Sequence, residues 1–415
     1  MNSIALMPPI PPGTFGSNTI AACLYHALAV ELHSPIEFAI YSKTLLIIKT
    51  KGNPTMLLKK SFTKKTLLPS ALAAGLTMIA NTVTAADPVT VVSWGGSYGD
   101  AQDNALFNDA SKNSGIEIIR ESGASMSKAC LQVESGSVVW DLVVTGSGGS
   151  ASAAAKGCLE KIDYSVVDVS NFIPNTYTDY CVGSDVFATV MSWNTEKYGE
   201  PGSDTAPKSW ADFWDTEKFP GTRAYRANNV DGALEPALMA DGVPADKVYE
   251  VLSTTEGMQR AINKIRELKP HIAVFWESGA MQAQLMKDNE VDMSTGWNGR
   301  FDNAKKDGAT VGYTFNQALL DYDCFAMPKG APNKDQAMKF LAEVSKAEYQ
   351  ANLPFHITYG PTNKEAYEIT TAPKELVEAL PSHPNNVPMM LPVSLEWYAE
   401  HKTEALELYM ELLSE

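Results

Sequence analysis

Apolar residues after position 87 come in short runs, and the segments between these runs carry one-sided helical patterns. Val89 to Trp94, Gly115 to Glu121 and Asp141 to Thr145 are typical of buried strands, whereas Ala101 to Lys112 and Met126 to Glu134 are typical of helices. Strands that alternate with helices across short turns favour a parallel, doubly wound sheet. We therefore predict an α/β fold.

The second half of the chain repeats this alternation with longer helices. A capping box at 253–256 begins a helix whose apolar residues fall on one face, and a second capping box at 209–212 begins a shorter helix. Between the two halves, Tyr180 to Trp193 alternates without a helical stripe. That segment predicts a pair of strands leading out of the first half.

The length of 415 residues is too great for one ordinary hydrophobic core, so two lobes are expected. The patterns place 87–184 and 321–368 in lobe 1, and 185–320 and 369–415 in lobe 2. The chain then crosses between the lobes twice, near 184 and near 321. Two crossings imply a hinge beneath a cleft, and clefts between domains commonly bind ligands.

Residues 56–86 have the parts of a secretory signal peptide in the usual order. A lysine-rich start and a short apolar stretch, Thr66 to Ala80, precede small residues that end at Ala86. This order predicts export to the periplasm, with a mature chain from about Asp87. Residues 1–55 show no periodicity, and we interpret them as an extension outside the fold, either an over-extended start or a short cytoplasmic leader.

The net charge of the chain limits the classes of molecule that it is expected to bind. The formal net charge is −16 and the pI is about 4.9, so the basic surface of a nucleic-acid-binding protein is absent from the sequence. Excess negative charge favours solubility and attracts cationic solutes. We expect a monomer with no nucleic-acid partner.

The predicted mature chain has four cysteines, Cys130, Cys158, Cys181 and Cys324. An even number in an exported chain permits two disulfides, and four cysteines allow three pairings. Cys158 with Cys181 is the first pair to test. The sequence has no CxxC motif, so we expect no zinc site and no cofactor.

Aromatic and acidic residues gather at predicted strand ends and turns. The rings are those of Trp94, Tyr98, Trp276, Trp297 and Tyr322, and the acids are Asp231, Glu235, Asp321 and Asp323. A desolvated cation over an aromatic face gains about 1–2 kcal/mol, and carboxylates accept strong hydrogen bonds from ammonium groups. Single rings of this kind usually serve packing, but together these residues predict a site for an organic ammonium.

Arg300 opposes a simple amine site. It follows a strand predicted to end at Trp297 and a turn predicted at Asn298-Gly299. A cation in the cleft would repel an amine, so it is either neutralised by Asp302 or Asp323, or it binds a carboxylate of the solute. An ordinary structural ion pair is the third interpretation.

Gly95-Gly-Ser97-Tyr-Gly99 matches the G-x-S-x-G pattern of a serine hydrolase between a strand and a helix. The pattern requires an acid and a histidine downstream, and no histidine of the mature chain lies in a supporting pattern. A glycine-rich turn that lines the cleft is the favoured interpretation, with a secreted hydrolase using Ser97 as a distant alternative.

The glycine- and serine-rich segment 146–150 precedes a predicted helix. Backbone N–H groups at such a position can bind an anion, or the segment can be a plain tight turn. An anion receptor is therefore a further alternative.

Seven stretches in order resemble the spermidine/putrescine-type periplasmic solute-binding proteins of ABC importers. They include VVSWGGSYGD, WDLVVTGSG, KSWADFWDTEKFPG, GALEPALMADG, GWNGR, DYDCFAMPKGAPNKDQAMKFL and ITYGPTNKEA, and the resemblance covers nearly all of 87–415. It implies a two-lobed periplasmic-binding-protein fold of type II, with a mostly parallel sheet in each lobe. It also implies a receptor that delivers solute to a cognate permease in the inner membrane and performs no chemistry.

The resemblance also assigns ligand contacts by position. The matching residues are Trp94, Tyr98, Ser147, Glu235, Trp297, Tyr322 and Asp323. Arg300 departs from the putrescine receptors, which carry an acid at this position, and related receptors of this broad group take ω-amino acids. We therefore expect a receptor for a small aliphatic amine such as putrescine or spermidine. The alternative is a receptor for an ω-amino acid such as 4-aminobutyrate, with its carboxylate on Arg300.

Overall fold

The computed structural model describes residues 37–41, 45–49 and 87–415. The first two segments are strands β1 (Glu37–Tyr41) and β2 (Leu45–Lys49), which pair antiparallel. The predicted signal peptide, 56–86, lies outside the described residues, as does the rest of 1–55. The remainder, from Asp87 onward, belongs to one compact unit.

The strands of this unit form one mixed sheet. They are β3 (Val89–Ser93), β4 (Ile118–Ser122), β5 (Leu142–Gly146), β6 (Tyr177–Thr178), β7 (Cys181–Asn194), β8 (Arg223–Arg226), β9 (Ile272–Trp276), β10 (Met293–Trp297), β11 (Val311–Tyr313), β12 (Leu319–Ala326) and β13 (Leu391–Pro392). The main order is β4-β3-β5-β12-β7-β10-β8-β9. Three short strands pair at its sides, β6 and β11 with β7, and β13 with β12.

Helices cover this sheet and connect its strands. They are α1 (Gly96–Gln102), α2 (Asn108–Ser114), α3 (Met126–Ser135), α4 (Ser147–Ala155), α5 (Thr195–Tyr198), α6 (Trp210–Trp214), α7 (Leu234–Ala240), α8 (Val248–Leu252), α9 (Thr255–Leu268), α10 (Gly279–Lys287), α11 (Asn298–Lys306), α12 (Lys334–Val344), α13 (Ala347–Gln350), α14 (Leu353–His356), α15 (Glu365–Ile369), α16 (Lys374–Glu378) and α17 (Leu395–Ser414). A π-helical segment, Asp103–Phe107, joins α1 to α2, and 3₁₀ turns span Ala245–Lys247, Lys269–His271 and Val387–Met389.

The sheet has a parallel part at each end and two long antiparallel strands in the middle. β3 pairs parallel with β4 and β5, and β8 pairs parallel with β9 and β10. β7 pairs antiparallel with both β12 and β10, so the two crossings of the chain are hydrogen-bonded neighbours. The predicted strand pair at 180–193 is wrong, because the structure has one 14-residue strand that is buried along almost its whole length.

Two large apolar clusters lie on either side of this middle region. One draws on residues from Val89 to Phe187 and from Phe325 to Tyr359. The other draws mainly on residues from Met191 to Met293 and on the C-terminal segment from Leu391 to Leu412. The chain is therefore a two-lobed α/β protein, and we propose the boundaries predicted from the sequence for its lobes.

The disulfides differ from the expected first pair. Cys130 bonds to Cys158, with Cα atoms 5.1 Å apart, and Cys181 bonds to Cys324, with Cα atoms 5.7 Å apart. Cys181 and Cys324 lie on the adjacent strands β7 and β12. Strand pairing therefore brings Cys181 and Cys324 together, and this long-range contact is not visible as a spacing along the chain.

Two local predictions at helix starts also changed. Asn298-Gly299 is not a turn, because helix α11 begins at Asn298 directly after Trp297. The capping box at 209–212 is confirmed, whereas the helix after 253 is capped by Thr254, whose side chain accepts from the N–H of Gly257. Among the described helices, none combines the length and apolar character needed to cross a bilayer.

Candidate functional site

A cavity of about 700 Å³ opens between the two halves of the sheet. It lies beyond the carboxyl ends of parallel strands, since Trp94 follows β3, Arg226 ends β8 and Trp297 ends β10. Ligands of α/β sheets bind at such ends, and this volume is in the range of small-molecule sites. Residues from both lobes line it.

The aromatic part of the wall is held by ring-to-ring packing. Trp297 meets Trp276 with centroids 5.3 Å apart and Phe187 with centroids 6.4 Å apart, both edge to face. Tyr98 lies 5.6 Å from Tyr359. Of these five rings, only Trp276 does not line the cavity. The packing fixes the ring faces that a methylene chain or a cation would contact.

The acidic part of the wall comes from the central strands. Asp321 and Asp323 on β12 both line the cavity, and Asp323 is the register partner of Asp185 on β7. Trp94 donates from Nε1 to Asp323 Oδ1 over 3.3 Å, and the Tyr98 hydroxyl donates to Asp185 Oδ2 over 2.7 Å. Three carboxyl groups therefore meet beneath the two aromatic residues of the first lobe.

Burial makes the ionised form of this cluster costly. It raises the pKa of Asp321 to about 7, although Ser147 opposes the shift by donating to its carboxylate. Burial is also the main cause of the raised pKa of Asp185 and of Asp323, and their mutual repulsion adds to it for Asp323. An ammonium group placed here would stabilise the ionised carboxylates, because opposite charge offsets desolvation.

Arg300 reaches this cluster from the second lobe. Its side chain is buried, its guanidinium carbon lies 5.4 Å from the Tyr98 ring centroid, and its Nη1 donates to the Gly95 carbonyl over 3.1 Å. Nε has no hydrogen-bond partner among the described residues. Asp302 instead accepts from the Tyr313 hydroxyl, so it does not neutralise Arg300.

Arg226 is a second buried cation of the cavity that sequence reasoning missed. Its guanidinium carbon lies 5.2 Å from the Trp297 centroid and 5.6 Å from that of Trp276. Nη1 donates to the Asp231 carbonyl over 2.6 Å, whereas Nε has no partner in the described part of the chain. Its position as the last residue of a strand, β8, is the local signal that could have identified it.

An ion pair completes the cavity wall on the side of the C-terminal helix. Lys402 of α17 lies 2.6 Å from an Asp231 carboxylate oxygen. Burial alone would raise the pKa of Asp231, but Lys402 and Arg226 hold it below the usual range. Asp231 is therefore compensated within the protein, unlike the acids of the central strands.

Three predicted contact residues do not line the cavity. Tyr322 faces away, because successive residues of a strand point to opposite faces, and it packs in an apolar cluster with the disulfides. Ser147 is buried behind Asp321, to which its hydroxyl donates. Glu235 is fully buried behind Tyr398, whose hydroxyl donates to it over 2.7 Å. In this structure the three residues support the wall rather than line it, and their direct contact with a ligand stays a prediction.

The hydrolase alternative has no support in the geometry. The hydroxyl of Ser97 lies 3.5 Å from Nη1 of Arg300, and no general base bonds to it among the described residues. A nucleophilic serine requires a base within hydrogen-bond reach. The structure also shows no group of acids, histidines and cysteines able to hold a metal in the part that it describes.

The geometry also disfavours the alternative of an anion site at 146–150. Gly146 ends β5 and α4 begins at Ser147, so a helix N-terminus does face the cavity region. However, a Cβ on Gly146 would lie 3.3 Å from the Asp321 carboxylate. The carboxyl group of Asp321 therefore lies beside this helix start, and in its ionised form it would repel an anion there.

Comparisons with known proteins agree with a receptor. A gamma-aminobutyric acid-binding protein of Pseudomonas aeruginosa is 35% identical over 332 residues, which is 80% of this chain and 92% of the relative. The PBP MotA of A. tumefaciens B6, solved in complex with glucopine, is 43% identical with a TM-score of 0.75, over 79% of this chain and 99% of that one. A putrescine-binding periplasmic protein of Escherichia coli is 28% identical over 120 residues, 27% of this chain and 32% of the relative.

The family model described as bacterial extracellular solute-binding protein matches residues 105–385. This range includes most of both lobes and the cavity wall from Gly123 to Tyr359. The expected absence of catalysis agrees with these relatives, which are binding proteins. The chain belongs to the bacterial extracellular solute-binding proteins, and it is a receptor rather than an enzyme.

Proposed function

We propose that this receptor captures a zwitterionic ω-amino acid of the 4-aminobutyrate type in the cavity. The carrying observation is that one buried cavity holds both a cluster of carboxyl groups and two arginines whose Nε atoms lack partners among the described residues. A zwitterion has a matching group for each. The relative that binds gamma-aminobutyric acid supports this choice over the amine first expected.

In this proposal the ammonium lies against Asp323 and Asp321, between the rings of Trp94 and Trp297. The carboxylate lies on Arg300, with Arg226 as a second donor. Hydrogen bonds between charged groups are roughly twice as strong as neutral ones, and arginine matches the two oxygens of a carboxylate. Each charged end of the solute thus exchanges its contact with water for contact with a side chain of opposite charge.

A polyamine suits this cavity less well. Its second ammonium would be desolvated near Arg300 and Arg226, and like charges brought together in a cleft repel. The putrescine-binding relative matches only 27% of the chain. Polyamines therefore serve as the comparison ligands, and we replace the first expectation with the ω-amino acid.

A larger amino-acid derivative is the second candidate, and the size of the cavity favours it. 4-Aminobutyrate has about seven non-hydrogen atoms and occupies on the order of 100–200 Å³, if each atom takes somewhat less than the volume of a water molecule. The cavity holds about 700 Å³. A relative solved with glucopine is consistent with a solute that fills more of this space.

Export by residues 56–86 would place the receptor in the periplasm, where it would act as a monomer and pass its solute to an ABC permease. The proposed site recognises an ammonium group, so a transported solute that has no amino group would contradict the proposal. Cleavage before Asp87 can be checked by N-terminal sequencing of protein recovered from the periplasm.

Ligand choice is tested by thermal unfolding and calorimetry with a matched panel of 4-aminobutyrate, putrescine, spermidine and glucopine. A ligand at one hundred times its Kd should stabilise the fold by about 2.7 kcal/mol. Stabilisation by 4-aminobutyrate above that by putrescine supports the proposal. A response to polyamines alone would restore the first expectation, and a response to glucopine alone would favour the larger solute.

A further inference from the structure

Glu235 and Tyr398 form a buried pair that direct ligand binding leaves without a role. Glu235 is fully buried on α7 and accepts hydrogen bonds from the hydroxyls of Tyr398, over 2.7 Å, and Tyr249, over 3.1 Å. The Tyr398 hydroxyl also accepts from the backbone N–H of Gly232 over 3.1 Å. These contacts hold one end of the Tyr398 side chain firmly in the second lobe.

The ring of the same tyrosine lies against the other lobe. A Cβ on Gly148, in the first turn of α4, would lie 2.7, 2.9 and 3.0 Å from three atoms of the Tyr398 ring. α4 packs with β5 and β12 of the first lobe and, more extensively, with α17, which carries Tyr398 and contributes to the core of the second lobe. The ring therefore fits against α4 only because residue 148 has no side chain.

Tyr398 also lines the ligand cavity, as do Gly148 and Lys402. Lys402, one turn further along α17, pairs with Asp231 of the second lobe, and its Nζ would lie 3.8 Å from a Cβ on Gly149. The lobe contact and the cavity wall thus share the same residues.

We propose that Tyr398 is a positioning residue for lobe closure, with Glu235 holding its hydroxyl and Gly148 providing the surface on which its ring rests when the lobes are closed. Opening the cleft would separate the ring from Gly148 while the hydroxyl stays bonded to Glu235. A side chain at residue 148 would block the closed arrangement without removing any group that bonds to solute.

The first test is Gly148→Ala, with Gly99→Ala as the matched control. Gly99 is also a helical glycine, and a Cβ there would meet nothing within 4 Å. We expect Gly148→Ala to weaken 4-aminobutyrate binding at least tenfold and to lengthen the inter-lobe distance measured by fluorescence energy transfer. Gly99→Ala should change neither quantity. Equal affinity and equal distance in Gly148→Ala and the unmodified protein would overturn the proposal.

A double-mutant cycle separates closure from direct contact. In a Tyr398→Leu background the added methyl group at residue 148 has no ring to meet, so the extra loss from Gly148→Ala should fall below twofold. A full tenfold loss in both backgrounds would show that the two residues act independently, and it would overturn the proposal.

Tyr398→Phe provides a second test in case the Gly148→Ala protein does not fold. It retains the ring but leaves Glu235 without this donor, and we expect a longer inter-lobe distance in the ligand-bound protein. An unchanged distance would overturn the proposal.

The affinity measurements rest on the proposed ligand. If the unmodified protein does not bind 4-aminobutyrate, that ligand assignment fails, and the same cycle is read with the member of the ligand panel that does bind. Equal inter-lobe distances in all ligand-bound variants would then overturn the closure role.

Discussion

Asp323 on β12 lies directly opposite Asp185 on β7, at the point where the chain crosses between its two lobes. Two acids on neighbouring strands are costly in a buried site, and burial raises the pKa of both. Trp94 and Tyr98 donate hydrogen bonds to this pair from the first lobe, and Arg300 lowers both pKa values from the second. The cluster thus lies at the crossing between the lobes and beside the cavity in which we propose that the solute binds.

Ligand binding should strengthen as pH rises through the raised pKa values of these acids. Asp321 has a pKa of about 7, so below that pH an ammonium must displace a proton from the cluster. We expect affinity for 4-aminobutyrate to rise between pH 5.5 and pH 8, with proton release on binding. Calorimetry in two buffers of different ionisation enthalpy measures this release, and pH-independent binding would contradict it.

Stability of the ligand-free protein should change with pH in the opposite direction. The pKa of Asp185, Asp321 and Asp323 is raised in the folded state, so over the range from about pH 4 to about pH 8 the folded state binds more protons than the unfolded state. Stability then falls as pH rises through this window. Thermal unfolding with and without saturating ligand should show this slope only in the ligand-free protein.

Asp323→Asn should separate binding from folding. We expect the binding free energy of 4-aminobutyrate to weaken by about 2–5 kcal/mol, which is typical of a buried charge pair that loses one partner. The ligand-free protein should be at least as stable as before, because one buried acid is removed. Asp307→Asn is the control, since Asp307 is an exposed acid paired with Lys287. Unchanged affinity in Asp323→Asn would remove Asp323 from the site.

Arg300→Ala and Arg226→Ala test which cation receives the carboxylate. Either change should weaken 4-aminobutyrate binding by at least tenfold if that arginine binds it, whereas putrescine binding should improve as a repulsive charge is lost. Arg266→Ala is a matched control, because Arg266 forms an exposed pair with Glu415. Equal losses for both ligands would instead indicate that the arginines only support the wall.

The two disulfides should contribute unequally to stability. The Cys181–Cys324 bond closes a loop of 143 residues, and Cys130–Cys158 closes one of 28. Loop-closure entropy predicts losses of about 5 and about 3.5 kcal/mol for the paired Cys→Ser changes. Denaturant unfolding of the two double variants measures the difference. A larger loss from the shorter loop would show that native packing outweighs loop entropy.

The positions of Trp94, Tyr98, Trp297 and Arg300 near strand ends could be inferred from the sequence, because a strand end is a local property of the chain. Asp323 lines the cavity from within β12. Tyr322 beside it does not line the cavity in the structure, for a reason that the sequence also contains. Neighbours in a strand face opposite sides, so Asp323 and Tyr322 cannot both face one cavity.

Asp185 and Tyr398 were missed because distant segments bring them to the site, whereas Arg226 was missed although it ends a strand. Asp185 meets Asp323 through strand pairing at a sequence separation of 138 positions, and Tyr398 meets Gly148 through helix packing. The sequence by itself determined the α/β class, the lobes and the chemical types at the cavity, since these follow from local periodicity and residue chemistry. Tertiary structure alone decided which charges share one desolvated space, because register and packing depend on contacts between residues far apart in the chain.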